Sequence, residues 1–226
     1  VNNGLFVTLE GIEGTGKTTQ REEIYKHFSA IGLNVVQTRE PGGTPQAEKI
    51  RDLLLTPNDE ELSAKCESLL FYASREQHLN GVIRPSLATG ALVICERFAD
   101  TTEAYQMAGG KMDQGFINDL RKHIVGETEP DLVFVLVMDV EKAFQRAAAR
   151  GALNRMESKG MEYYQAAQEQ FVKLAHTPHP TTTYSIIDAD QPAEVISQQI
   201  IREVTDAWER KQTANNALFP LNNLKG

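Results

Sequence analysis

The 226-residue chain is 41% apolar and 24% charged, the makeup of one well-buried soluble domain, and its formal net charge is −8. That acidic balance argues against a surface that tracks nucleic-acid phosphates, although a few arginines gathered in a cleft can still hold a small anion. No run approaches the roughly 18 apolar residues of a membrane span and the N-terminus lacks a secretory pattern, so no membrane partner and a cytosolic location are expected. Cys66 and Cys95 have no second Cys or His at metal-ligand spacing and read as buried free thiols.

The first predicted element is a strand over Leu5 to Glu10, followed by a glycine-rich turn and a helix from Thr18 to Ile31. A second strand, Asn34 to Thr38, leads into Arg39-Glu40-Pro41-Gly42-Gly43-Thr44, where Pro and two glycines interrupt regular structure before a helix that runs to about Leu55. Ser63 to about Arg84 reads as one long helix closed by Pro85. Three more apolar runs, Ala91 to Cys95, Leu132 to Met138 and Thr183 to Asp188, complete five strands separated by helical stretches. Such alternation predicts an α/β fold with a five-stranded parallel sheet covered on both faces, in which ligands sit beyond the carboxyl ends of the strands. An amphipathic helix from Gln191 to about Lys211 closes the core, and residues 212–226 read as a frayed tail.

Gly11-Ile12-Glu13-Gly14-Thr15-Gly16-Lys17-Thr18 matches G-x-x-x-x-G-K-[ST] in the strand–loop–helix setting that this phosphate-binding loop requires. Its glycines let successive backbone N–H groups curl around phosphate oxygens, and the following helix adds its positive N-terminal end. Lys17 is expected to neutralise the β and γ phosphates of ATP, with Thr18 placing its hydroxyl on Mg²⁺. The loop alone does not separate kinases from GTPases or motor ATPases. A GTPase switch would carry a guanine-reading N-K-x-D element, which this chain lacks.

Around that loop the chain resembles the thymidylate kinase family, with matching motifs in the same order from Leu5 to about Trp208. These are Val7 to Gly14 leading into the loop with Thr19-Gln20 behind it, Arg39 to Thr44, and Leu70-Phe71-Tyr72-Ala73-Ser74-Arg75. They continue with Glu96-Arg97-Phe98, Ala104-Tyr105-Gln106, and Ala149-Arg150-Gly151 ahead of Arg155. The resemblance implies a three-layer P-loop NTPase fold forming one domain over residues 1–211, with a small mobile lid at about 146–159. It implies transfer of the ATP γ-phosphoryl group to dTMP on the way to dTTP, with ATP and dTMP as small-molecule partners, Mg²⁺, and a homodimer using the helix at 63–84.

The resemblance also implies roles residue by residue. Gly11, Gly14, Thr15, Gly16, Lys17, Thr18 and Thr19 would hold the donor phosphates. Glu13 would face the acceptor sugar's 3′ hydroxyl, and Arg39 and Arg97 would clamp the acceptor phosphate, a task for which paired guanidinium donors are suited. Phe71 would stack on thymine, with Arg75 one helical turn later bonding its carbonyl oxygen; without the resemblance Phe71 reads as core and Arg75 as solvated. Gln106 would contact base or sugar in a region lined by Thr101, Thr102 and Tyr105, the last of these disfavouring ribose. The adenine is expected near Ile187 to Asp190.

Glu96 stands where the family usually has Asp, and it is preferred as the metal-binding acid over Asp139, which also follows an apolar strand and reads as a helix cap. Arg150 and Arg155 would stabilise the transferring phosphoryl from the lid, because Gly14-Thr15-Gly16 offers no loop arginine. Ala148, Asn154 and the Met107-Ala108-Gly109-Gly110 stretch depart from the family pattern. A P-loop kinase for another acceptor would share Lys17 and Thr18 and differ at Phe71, Arg75 and Gln106.

Overall fold

In a computed structural model, residues 4–57, 59–109, 112–149 and 159–218 are described. Five parallel strands, β1 (Leu5–Glu10), β2 (Val35–Arg39), β3 (Leu92–Glu96), β4 (Leu132–Val137) and β5 (Thr183–Asp188), form one sheet in the order β2-β3-β1-β4-β5. Alternation along β1 explains why both faces must be covered. Leu5, Val7 and Leu9 join Leu92 and Ile94 in one apolar cluster, whereas Phe6 joins Val93, Cys95 and Phe98 in another on the opposite face. The covering helices are α1 (Lys17–Ala30), α2 (Pro45–Leu55), α3 (Ala64–His78), α4 (Arg84–Ala88), α5 (Ala99–Thr102), α6 (Gln114–Ile124), α7 (Val140–Ala148), α8 (Met161–His176) and α9 (Ala193–Leu218).

Local chemistry sets the helix starts. The side chains of Thr44, Ser63, Asp113 and Asp139 each accept a backbone N–H in the first turn of α2, α3, α6 and α7. Asp139 is therefore a cap, as its position after β4 suggested.

Three expectations need correction. Pro85 does not close the long helix: a π-helical turn at Leu79–Ile83 follows α3, with Arg84 N donating to Leu79 O, and Pro85 then sits in the first turn of α4, where no helical N–H is required of it. The C-terminal helix runs past Lys211 to Leu218, since nothing in 212–218 breaks it, and Lys211 is anchored to both carboxylate oxygens of Asp131 at 2.7 Å. Cys66 is exposed, being in the first turn of α3 on the face turned from the core; Cys95 is buried. Among the described residues no helix is long and apolar enough to cross a membrane.

The end of β1 carries a fully buried acid. Glu10 accepts from Phe98 N (2.7 Å) and from the Thr101 hydroxyl (2.6 Å), tying β1 to the start of α5. Burial, reinforced by the neighbouring Asp100 carboxylate, raises its pKa to about 8 against the opposing pull of Thr101 and Arg97. The folded chain thus holds a proton on Glu10 that the unfolded chain releases near its ordinary 4.5, so the stability this group contributes is fully present at low pH and lost as pH rises toward 8. Glu10→Gln, which mimics the protonated acid, should flatten that slope. Thermal midpoints of both proteins between about pH 5 and pH 8 would show it, and parallel curves would contradict the assignment.

Candidate active site

A cavity of about 340 Å³ opens beyond the carboxyl ends of β1, β2 and β3. The loop from Gly11 to Thr18 forms one wall, with Gly14 and Gly16 at φ 84° and 90°, values that side chains disfavour. At Gly14 a Cβ would also run into the Ala143 carbonyl of α7, so the loop is packed directly on the helix that leads into residues 146–159. Gly14, Gly16, Lys17, Thr18 and Thr19 line the cavity, whereas Gly11 and Thr15 shape the loop from within: Gly11 offers its carbonyl to Arg97, and the Thr15 hydroxyl donates to Ile12 O.

Lys17 is nearly buried and its Nζ donates to the Ile12 carbonyl at 2.6 Å. Burial, with Arg97 nearby, brings its pKa down to about 7 despite the pull of Glu13, Glu96 and Glu10. A phosphate there would restore the charge. The Thr18 hydroxyl lies 3.0 Å and 3.1 Å from the two oxygens of Glu96, which Arg21 also meets at 3.2 Å. Among the described residues no group of three or more His, Cys, Asp or Glu side chains could hold a metal. The Thr18 and Glu96 oxygens nonetheless fit Mg²⁺, a hard cation that takes one or two protein oxygens and completes its shell with phosphates and water.

Arg97 follows β3 and adopts φ 67°, the one described non-glycine residue in the left-handed region. Its Nη2 meets Glu13 at 2.7 Å, its Nη1 donates to Gly11 O at 3.1 Å and Thr101 Oγ1 at 3.3 Å, and its guanidinium lies over the Tyr105 ring. Tyr105 in turn donates to Glu13 at 2.5 Å. Burial alone would raise the Glu13 carboxyl, but Arg97, Lys17 and Tyr105 outweigh it and hold it below the ordinary carboxylate value.

On the facing wall Arg39, the last residue of β2, pairs with Glu48 at 2.9 Å. Beside it is Arg51 of α2, which sequence reasoning passed over. Arg51 makes no ion pair among the described residues, donating instead to Pro41 O at 2.8 Å, and burial together with the repulsion of Arg39 lowers its pKa. Four arginines, Arg21, Arg39, Arg51 and Arg97, thus line one cavity together with Glu13, Glu40 and Glu96, and of the four Arg51 is the one without an ion pair among the described residues. Only the helical register of α2, placing Arg51 three residues after Glu48, hints at this from sequence.

Phe71, Thr101, Tyr105 and Gln106 line the far end of the cavity. Arg75 and Thr102 are not among the residues that line the cavity. Arg75 is about 1% exposed and lies behind the wall, with Nε on Glu40 Oε2 (2.8 Å) and Nη2 on Phe98 O (2.9 Å) and Thr102 Oγ1 (3.0 Å). Thr102 is fully buried because its hydroxyl serves that guanidinium. Arg146 reaches Ala189 O at 3.4 Å. Arg150 and Arg155 lie outside the described residues.

Residues 9–200 match the family model described as Thymidylate kinase. A thymidylate kinase of Pseudomonas putida is 46% identical over 198 residues, covering 88% of this chain and 93% of that protein. One of Pseudomonas fluorescens is 46% identical over 207 residues, covering 92% and 98%. The crystal structure of thymidylate kinase from Ehrlichia chaffeensis superposes with a TM-score of 0.73 at 31% identity, covering 89% of this chain and 99% of that one. With a phosphate-binding loop, a cluster of arginines and a buried aromatic end in one cavity, and with these relatives along nearly its whole length, the chain belongs to the thymidylate kinase family.

Proposed function

We propose that this chain transfers the γ-phosphoryl group of ATP to the phosphate of dTMP, giving dTDP and ADP. One observation carries the choice of base: two buried polar atoms near Phe71 have no hydrogen-bond partner among the described residues, Nη1 of Arg75 and Oε1 of Gln106. Buried polar groups are seldom left unpaired, since each costs about 1–3 kcal/mol, and such orphans call for a ligand. A guanidinium N–H is a donor and an amide oxygen an acceptor; thymine offers the matching pair, O4 and N3–H, on adjacent ring positions. Cytosine presents an amino group and a bare ring nitrogen, the wrong complement on both counts.

The other roles follow from the same cavity. Lys17 would leave the Ile12 carbonyl for the β and γ phosphates, with the loop amides and the N-terminus of α1 completing the cradle. Thr18 and Glu96 would hold Mg²⁺, which neutralises charge on the phosphate oxygens. Arg97, Arg39 and Arg51 would hold the acceptor phosphate, and Glu13 would accept from the sugar 3′ hydroxyl. The attacking phosphate oxygen is already an anion, so no general base is needed, and the side chains act by positioning and charge. We extend the reading to Arg150 and Arg155 as the lid's contribution within a single domain, to adenine near Ile187 to Asp190, and to a cytosolic location.

ADP formation from MgATP with dTMP, dUMP, dCMP, AMP, GMP or thymidine as acceptor tests the proposal. We expect dTMP to lead, dUMP to trail by the roughly 1 kcal/mol that one methyl group contributes, and Lys17→Ala to lose most activity with every acceptor. Preference for dCMP or a purine monophosphate would overturn the base assignment. We also propose a homodimer through α3, where Cys66, Leu69 and Ala73 are exposed at helical spacing. Sedimentation at twice the chain mass is expected, and sedimentation at the chain mass would contradict it.

A further inference from the structure

Gln106 reads a base usefully only if its amide is turned the right way round, because its two ends differ in sense: the oxygen accepts and the nitrogen donates. The nitrogen is spoken for. Nε2 donates to Glu67 Oε1 at 2.7 Å in a bond that is buried, leaving Oε1 as the end without a partner, in a side chain that lines the cavity. Glu67 itself is on α3, nearly buried, and is not among the cavity-lining residues, so its influence on a ligand passes through Gln106.

A carboxylate is the side chain best suited to this task. It accepts and does not donate, so reversing the Gln106 amide would set oxygen against oxygen in a buried place, where electrostatic repulsion is strong. A neutral amide at position 67 would tolerate either orientation by turning its own group over. The cost of burying the carboxylate is offset by Lys159, whose Nζ lies 3.0 Å and 3.3 Å from its two oxygens. Lys159 is about 29% exposed in its side chain and also lies over the Tyr163 ring at 4.9 Å, and Tyr163 stacks on Tyr105, the residue next to Gln106. The chain just before α8 is thereby seated against the base-reading corner from two sides.

We infer that Glu67 is a positioning residue for base recognition: it holds the Gln106 amide with its oxygen toward the cavity, and Lys159 supplies the counter-charge that keeps the carboxylate in place. The inference rests on the proposed dTMP reading and deepens it, since it gives the reason that an amide, ambiguous by nature, selects a ring N–H over a bare ring nitrogen. It also makes the end of the 146–159 segment part of base selection, through Lys159.

The test is steady-state kinetics of the full chain and its Glu67→Gln and Lys159→Gln variants, with dTMP and dCMP as competing acceptors. For Glu67→Gln we expect kcat/KM for dTMP to fall about tenfold, mainly through KM, and that for dCMP to rise, so that the dTMP/dCMP ratio falls by more than about tenfold; KM for ATP should not change. Lys159→Gln, at a partly exposed position, should move the ratio the same way to a smaller extent. If Glu67→Gln does not fold, the Lys159→Gln ratio decides alone: a lowered ratio supports the inference and an unchanged one overturns it. Equal losses with both acceptors, or altered thermal stability with the ratio retained, would show Glu67 to be structural only. A wild-type chain with no preference for dTMP would instead overturn the acceptor reading itself, before any variant is compared.

Discussion

Arg97 ties together three pieces of chain at the mouth of the sheet. Its backbone N–H donates to Leu9 O, its guanidinium reaches Gly11 O and the Glu13 carboxylate of the phosphate loop, and it packs over Tyr105 beyond α5. The left-handed backbone that permits this costs an ordinary residue roughly 1–2 kcal/mol, and such a conformation persists where surrounding contacts over-determine it. Here the contacts are charge-assisted and partly buried, so they outweigh that cost. With Arg97 fixed, Glu13 and Tyr105 are fixed too, and one side of the cavity is in shape before any ligand arrives.

The opposite side depends on a second buried acid. Glu40 receives Arg75 at 2.8 Å and lies 3.0 Å from His78, while the Thr38 hydroxyl meets the other ring nitrogen of His78 at 2.7 Å. The segment after β2 is thus bolted to α3, and Phe71 on the same helix is carried into place one turn before Arg75. Such preorganisation leaves little ordering for a ligand to induce. The acidic chain as a whole and the cationic cavity are compatible because Arg39, Arg51 and Arg97 come from separate stretches of the chain, the end of β2, α2 and the residue after β3, and converge only in the fold.

What the sequence revealed depended on whether a role is local. The phosphate loop, the strands and the cap at Asp139 are set by residues close in the chain, and they were legible with boundaries shifted by a residue or two. Pro85 was misread because the widened turn that accommodates it has no sequence mark, and the reach of α9 because apolar periodicity fades after Lys211 although no residue from 212 to 218 breaks a helix. Arg51 and Glu67 were invisible for a related reason. An arginine or glutamate on a helix is ordinarily a solvated face, and only the direction in which α2 and α3 are turned gives these two a task. Arg75 and Thr102 were found by resemblance; the fold buries both, joined by a hydrogen bond, and leaves Arg75 Nη1 without a partner among the described residues.

The central claim is that Arg97 holds the acceptor's phosphate in a cavity whose other end recognises the base independently. Calorimetric titration of dTMP and of thymidine into the wild-type chain and into Arg97→Lys tests it directly. Lysine keeps the charge but loses the paired donors that reach Glu13 and Gly11. The account expects dTMP affinity to fall by about tenfold to a hundredfold while thymidine binding stays within about twofold. Equal losses for the two ligands would mean that Arg97 only supports the fold, and an unchanged dTMP affinity would remove it from the phosphate site altogether.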